Sequence, residues 1–253
     1  MTDIVLILGS GPDVTRCRDW ARAPFDKILA INNAWAVRDD WDILIHPEDF
    51  PPERRPQDPA PHQRIVGADE YVPAQNALGG FVYAGGTMAF TAGYWALAAL
   101  RPKVIAYLGC DMVYRSGPRT HFYGNGTADP LRPDVTLQSL EAKSARLMIH
   151  AAEQGCAMVN LSTAPKSRLV LPRSSADALG SGVPDLPAID PAAVRRARAH
   201  EAALGYLVPS GRYWEVEDSL DAAALAEIDR AWLSAVAGDA ARPGVESRTT
   251  AVA

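Results

Sequence analysis

The chain has 253 residues, 48% hydrophobic and 22% charged, which is the balance of an ordinary folded protein and excludes wholesale disorder. Its length supports one sizeable core without disulfides or metals. Its 25 basic and 30 acidic residues leave a net charge of −5, a poor balance for non-specific binding to nucleic acid or anionic membranes.

In chain order, residues 3–8 form an apolar run that closes on Gly9-Ser10-Gly11-Pro12, the pattern of a buried strand followed by a tight turn that opens a first helix. Residues 27–31 repeat the pattern and close on Asn32-Asn33, and residues 41–45 close on His46-Pro47. Residues 47–61 are rich in proline and predict a surface loop. Residues 87–100 and 135–154 predict helices, the second with Leu137, Leu140, Ser144, Leu147 and Ala151 on one face. Between these helices, residues 104–108 form a strand that ends at Gly109-Cys110-Asp111. Residues 157–161 form the last strand and end at Ser162.

Strands alternating with helices predict a doubly wound, mostly parallel Rossmann-like α/β sheet with helices on both faces. Residues 1–173 are read as that nucleotide-binding, catalytic unit. Residues 174–237 are read as a linker followed by a helical extension that packs on it, with helix starts at Asp190-Pro191 and near Asp221. Residues 238–253 are read as a flexible tail. The longest apolar stretch, residues 90–100, is too short for a membrane span. The first residues lack the basic region of a secretory signal, and Cys17, Cys110 and Cys156 lie far apart without metal spacing. The expected setting is a reducing cytoplasm.

Polar and glycine residues gather just after the strands, where ligands bind in this architecture. Gly9, Ser10, Gly11 and Pro12 would let the backbone approach a phosphate or sugar, or would serve strand-to-helix packing alone. Val14 stands where the dinucleotide fingerprint needs its third glycine. Asn32-Asn33 stand where NAD binding needs an acid, and no Walker-type lysine motif occurs, which argues against NAD and P-loop chemistry. The Asn pair can read a base or sugar by neutral hydrogen bonds, or cap a helix. Gly85-Gly86-Thr87 precede a helix and form a second potential anion-holding terminus.

The segment from Gly109 through Thr127 is the most informative. It carries Tyr114, Arg115, Arg119, His121, Phe122, Tyr123 and Asn125, few of which suit a plain connector. A histidine exchanges protons near pH 7 and tyrosine hydroxyls can donate to a leaving phosphate. The alternative packs Phe122 and Tyr123 under the loop and leaves His121 as a solvated neighbour. His46 is a lesser candidate, and His62, His150 and His200 read as structural or surface residues. Asp111, a lone carboxylate, makes a poor metal site and favours capping a turn. Cys110 beside it reads as a small buried residue. Lys166, Ser167, Arg168 and Arg173 after Ser162 could neutralise a phosphate or solvate the domain edge.

Taken in order, Gly9 to Pro12, Asn32-Asn33, Gly85 to Thr87, Gly109-x-Asp111-x-x-Tyr114, the long helix and Leu161-Ser162 resemble the bacterial sialyltransferases that use CMP-sialic acid, and the sialyltransferase-like Rossmann proteins around them. The similarity spans roughly residues 3–175. It implies a metal-independent transfer, with the first glycine loop and Asn32 or Asn33 on the cytidine nucleotide, and Tyr114 and Tyr123 on the departing phosphate. In that family the general-base histidine lies just ahead of the long helix. Here Asp129-Pro130-Leu131-Arg132-Pro133 occupies that stretch, and His121 is the nearest substitute.

The resulting expectation is a glycosyltransferase-like enzyme moving a sugar, such as a nonulosonic acid, from a CMP-linked donor onto a surface-glycan precursor. It would have no further cofactor and no nucleic-acid partner. The archaeal-type 6-hydroxymethylpterin diphosphokinases are similar in the same glycine and Gly-x-Asp elements. They imply the rival reading, ATP- and Mg²⁺-dependent diphosphate transfer with Asp111 on the metal. A nucleotide-binding module without turnover is the third.

Overall fold

The computed structural model describes residues 3–113, 120–124 and 134–236. Six strands form one all-parallel sheet: β1 (Ile4–Leu8), β2 (Lys27–Ile31), β3 (Ile43–Ile45), β4 (Arg64–Val66), β5 (Val104–Leu108) and β6 (Ala157–Asn160). Their spatial order is β4-β3-β2-β1-β5-β6. β1 lies inside the sheet, with Leu6 paired to Ile28 on one side and Ala106 on the other. Every residue of β1 is buried, and its unbroken Ile-Val-Leu-Ile-Leu run is what a strand covered on both faces requires.

The two faces are covered differently. Val5 and Ile7 pack into a large core with α1 (Ala68–Asn76), α2 (Phe81–Ala84), α3 (Met88–Ala99), α4 (Leu140–Glu153), α6 (Pro191–Leu204) and α7 (Ala222–Ser234). Ile4, Leu6 and Leu8, one residue out of phase, meet a thinner layer. It is built from two 3-10 helices, Pro12–Asp19 and Asn32–Val37, together with Phe25, Trp41 and Leu179 of α5 (Ala176–Ser181).

The doubly wound α/β reading stands, with four local corrections. The segment opening at Pro12 is a 3-10 helix with only Val14 and Cys17 buried, too narrow an apolar face to hold a full α-helix on the sheet. β4 was not anticipated, because it is an edge strand that exposes Arg64 and Ile65 and so shows no apolar run. α1 was not anticipated either, as it carries Pro73 in its interior. The presumed linker after residue 174 holds α5, anchored by buried Leu179 and capped by Ser175.

α6 and α7 lie on α4, joined to it by polar contacts. Lys143 Nζ meets Asp229 Oδ1 at 2.6 Å, with both side chains buried. Arg146 donates through Nε to Glu201 Oε1 at 2.7 Å, through Nη1 to Tyr94 Oη and through Nη2 to the Leu78 carbonyl. Trp232 Nε1 donates to the same Glu201 at 2.7 Å. No helix among the described residues is long and apolar enough to cross a membrane.

Candidate functional site

In an open parallel sheet, the crevice lies where successive connections leave in opposite directions, outside the carboxyl ends of the strands. Here that point falls between β1 and β5. A cleft of about 690 Å³ opens there, within the range that holds a nucleotide-sized ligand. Its walls come from the turn after β1, from Ile31 at the end of β2 and Asn32 beyond it, from Thr87 to Ala89 at the start of α3, and from residues 109–113 after β5. His121, Tyr123 and Lys166 complete it.

The glycines set the floor by touching one another. Gly9 N donates to the Leu108 carbonyl and Gly11 N to the Gly109 carbonyl, each at 2.8 Å. A Cβ on Gly9 would fall 2.4 Å from Cys110 Sγ, and one on Gly11 2.8 Å from Gly109 O. Gly109 itself sits at φ +74°, where only glycine is at ease. The loops after β1 and β5 therefore cross backbone to backbone. Both amides are consumed by that crossing, so holding a phosphate falls to other donors along the cleft.

Asn32 and Asn33 part company. Asn32 lines the cleft in the left-handed region (φ 52°), with Oδ1 sealed and unpartnered. Asn33 is not among the lining residues. Met112, a lining residue after β5, is also left-handed (φ 52°), a conformation that costs a bulky side chain about 1–2 kcal/mol. Strained residues of this kind gather at binding and catalytic sites. Thr87 lines the cleft and caps α3, its Oγ1 accepting from Ala89 N at 3.1 Å. Gly85 and Gly86 lie behind it, outside the lining, and serve packing. A Cβ on Gly86 would fall 1.8 Å from Tyr213 Oη, and one on Gly85 3.0 Å from Lys143 Cγ.

Residues 120–124 form a tight turn over the first loop. His121 N donates to Gly124 O, Gly124 N returns to His121 O, and Phe122 N donates to Ser10 O at 3.0 Å. Phe122 packs toward the thinner core. His121 is the buried member and Tyr123 the exposed one, at 6% and 43% exposure, which reverses the alternative in which His121 was the solvated neighbour. Their rings stack at 5.0 Å, and His121 Nδ1 lies 2.8 Å from Thr120 Oγ1. Tyr114, the other tyrosine named above, lies outside the described residues, as do Arg115, Arg119, Asn125, residues 129–133 and the tail at 238–253.

Asp111 and Ser162 belong together. Asp111 accepts from Ser162 Oγ and from Asn160 Nδ2 (3.0 Å), with Arg173 Nη1 3.8 Å away. Asp111 lines the cleft, and buried Ser162 holds it from behind. Cys110 is buried against Asp111, and burial pushes its thiol far above the usual range, so it is no nucleophile.

The positive charge comes from Lys166 and from Arg16, four residues past Pro12. Arg16 leans on Asp13 at 3.5 Å, whereas Lys166 has no ion pair among the described residues. Arg16 was not among the expected site residues; its only signal in the sequence is its spacing from the glycine turn. His46 is buried outside the lining, its Nδ1 on the Pro47 carbonyl at 2.8 Å. His62 and His200 are exposed elsewhere. Among the described residues, no group of three or more His, Cys, Asp or Glu is arranged to hold a metal ion.

No protein-family model, curated protein or solved structure matches this chain.

Proposed function

We propose that the cleft binds a CMP-type nucleotide sugar and transfers its sugar to an acceptor hydroxyl, with His121 as general base. The observation that carries this reading is the convergence of a buried, ring-stacked histidine with the glycine turn, Asn32 and the capped start of α3 on one cleft at the switch point. As the acceptor oxygen bonds to the anomeric carbon, the bond from that carbon to the phosphate oxygen breaks and CMP departs. His121 takes the hydroxyl proton as the new bond forms, a role worth about 10²–10⁴-fold. The exposed Tyr123 hydroxyl and the Lys166 ammonium are suited to the charge that builds on the leaving phosphate.

The diphosphokinase reading needs Asp111 as a metal ligand. Its carboxylate already accepts from Ser162 and Asn160 beside Arg173, which favours a structural role. Thermal shift with CMP, CDP, UDP, GDP, ATP and NAD tests the reading. Cytidine nucleotides should raise Tm, by about 2.7 kcal/mol of stabilisation at a hundredfold excess over Kd, while NAD should not. A shift with NAD and none with CMP or CDP overturns it. With a donor in hand, His121→Ala should lower kcat a hundredfold or more and leave nucleotide affinity within a few-fold. Binding without turnover would identify a nucleotide-binding module.

A further inference from the structure

The start of α3 is held from a distance. Gly86 N donates to Thr136 Oγ1 at 3.1 Å. The Thr136 hydroxyl donates in turn to Asp134 Oδ1 at 2.6 Å, and Asp134 Oδ2 accepts from Tyr213 Oη at 2.7 Å. Tyr213 is 3% exposed, stacks on Phe81 at 6.4 Å, and fills the space that a side chain at position 86 would need. It comes from the stretch between α6 and α7, far from the glycine loops in sequence. A chain of three hydrogen bonds thus runs from the C-terminal extension to the peptide just ahead of Thr87, the residue that caps α3 on the cleft wall.

The chain has a direction. Each hydroxyl donates toward the Asp134 carboxylate, and charge-assisted bonds of this kind are about twice as strong as neutral ones. Thr136 is fully buried, so its hydroxyl can accept from Gly86 only in the rotamer that Asp134 selects. Losing the Tyr213 hydroxyl removes one of the bonds that fix the Asp134 carboxylate, whose Oδ1 also accepts from Thr136 N at 2.8 Å, and so slackens the support beneath the Thr136 hydroxyl. The loss then reaches the first turn of α3 without touching the cleft directly.

We infer that Tyr213 is a positioning residue for the cleft, fixing the Gly86 peptide and the Thr87 cap through Asp134 and Thr136. This makes the C-terminal extension part of the binding site it does not line. The consequence for ligand affinity rests on the reading of the cleft as a nucleotide site; the consequence for the Gly86 amide does not.

The experiment uses the full chain with Tyr213→Phe, which keeps the ring, and Thr136→Val, which removes the middle link. Amide exchange by NMR should show Gly86 exchanging at least fivefold faster in either variant, with the β1 and β5 amides unchanged. The double variant should match Thr136→Val alone, because both substitutions cut one chain. CMP affinity by calorimetry should weaken three- to tenfold in Tyr213→Phe. Unchanged Gly86 exchange in both variants, or additive effects in the double, overturns the positioning role. So does an unchanged Kd in Tyr213→Phe when the wild type binds CMP. If the wild type does not bind CMP while Gly86 exchange rises as stated, the nucleotide reading fails and the positioning role stands.

Discussion

The cleft and the interface beneath α4 contain similar kinds of side chains and use them in opposite ways. Under α4, Arg146 is fully buried, and its guanidinium is divided among Glu201, Tyr94 and the Leu78 carbonyl. Lys143 is equally buried and meets Asp229. The charges there are spent on one another, and the polar atoms left over, His150 Nε2 and Asp229 Oδ2, are sealed from solvent. In the cleft, Lys166 is exposed without an ion pair among the described residues, Tyr123 is open, and two lining residues, Asn32 and Met112, are left-handed. A folded chain neutralises charges that serve only its own architecture. On the proposed reading, the open charge beside left-handed backbone in the cleft is available to a ligand.

The sharpest way to break this comparison is to remove one partner from the sealed side. Arg146→Ala should cost about 3–5 kcal/mol in a denaturant titration, because a fully buried cation is removed and Glu201, its side chain only 11% exposed, loses its partner. A loss below 1 kcal/mol would mean that the pairing does not hold the C-terminal helices.

A smaller effect should appear with pH. Burial, with Arg146 and Arg198 nearby, pushes the His150 imidazole down to about 2. The native state keeps it neutral while the unfolded chain protonates near 6.5. Above that pH its titration costs nothing. Below it, stability should fall by about 1.4 kcal/mol per pH unit from this residue alone. Melts at pH 7 and pH 5 should therefore differ by about 2 kcal/mol more in the wild type than in His150→Leu, and equal differences would refute the assignment.

The smallest effect belongs to the open side. Lys166→Ala should leave Tm unchanged and weaken CMP binding by about three- to tenfold, with a shallower salt dependence. A drop in Tm instead would move Lys166 to the structural side of the comparison.

Much of the sheet was legible because β1, β2, β5 and β6 are buried on both faces and read as apolar runs stopped by Gly, Asn or a turn. β4 was not, since an edge strand that exposes Arg64 and Ile65 has no such run. The cleft was half legible. Gly9, Gly11 and Gly109 stood out as glycines after strands. Their shared purpose did not, because they meet only after the sheet brings residues a hundred positions apart together. Gly86 misled in the same manner. It reads as part of an anion-holding turn, yet what demands a glycine there is Tyr213, 127 positions later. Local sequence reports where a backbone is unusual; the reason lies with a distant contact.

The pairing of Ile4 with Val104 has a consequence for how the protein is made. During synthesis β1 emerges first, and β2 can join one of its edges soon after. Its other edge waits for about a hundred more residues, roughly 5–20 s at ordinary ribosome speeds. Throughout that interval the most apolar strand of the sheet presents a bare row of amides and carbonyls, the template on which unfinished chains stick to one another. The vulnerable species is thus the half-made chain, and conditions that shield nascent chains should raise its yield more than any stabilisation of the finished fold.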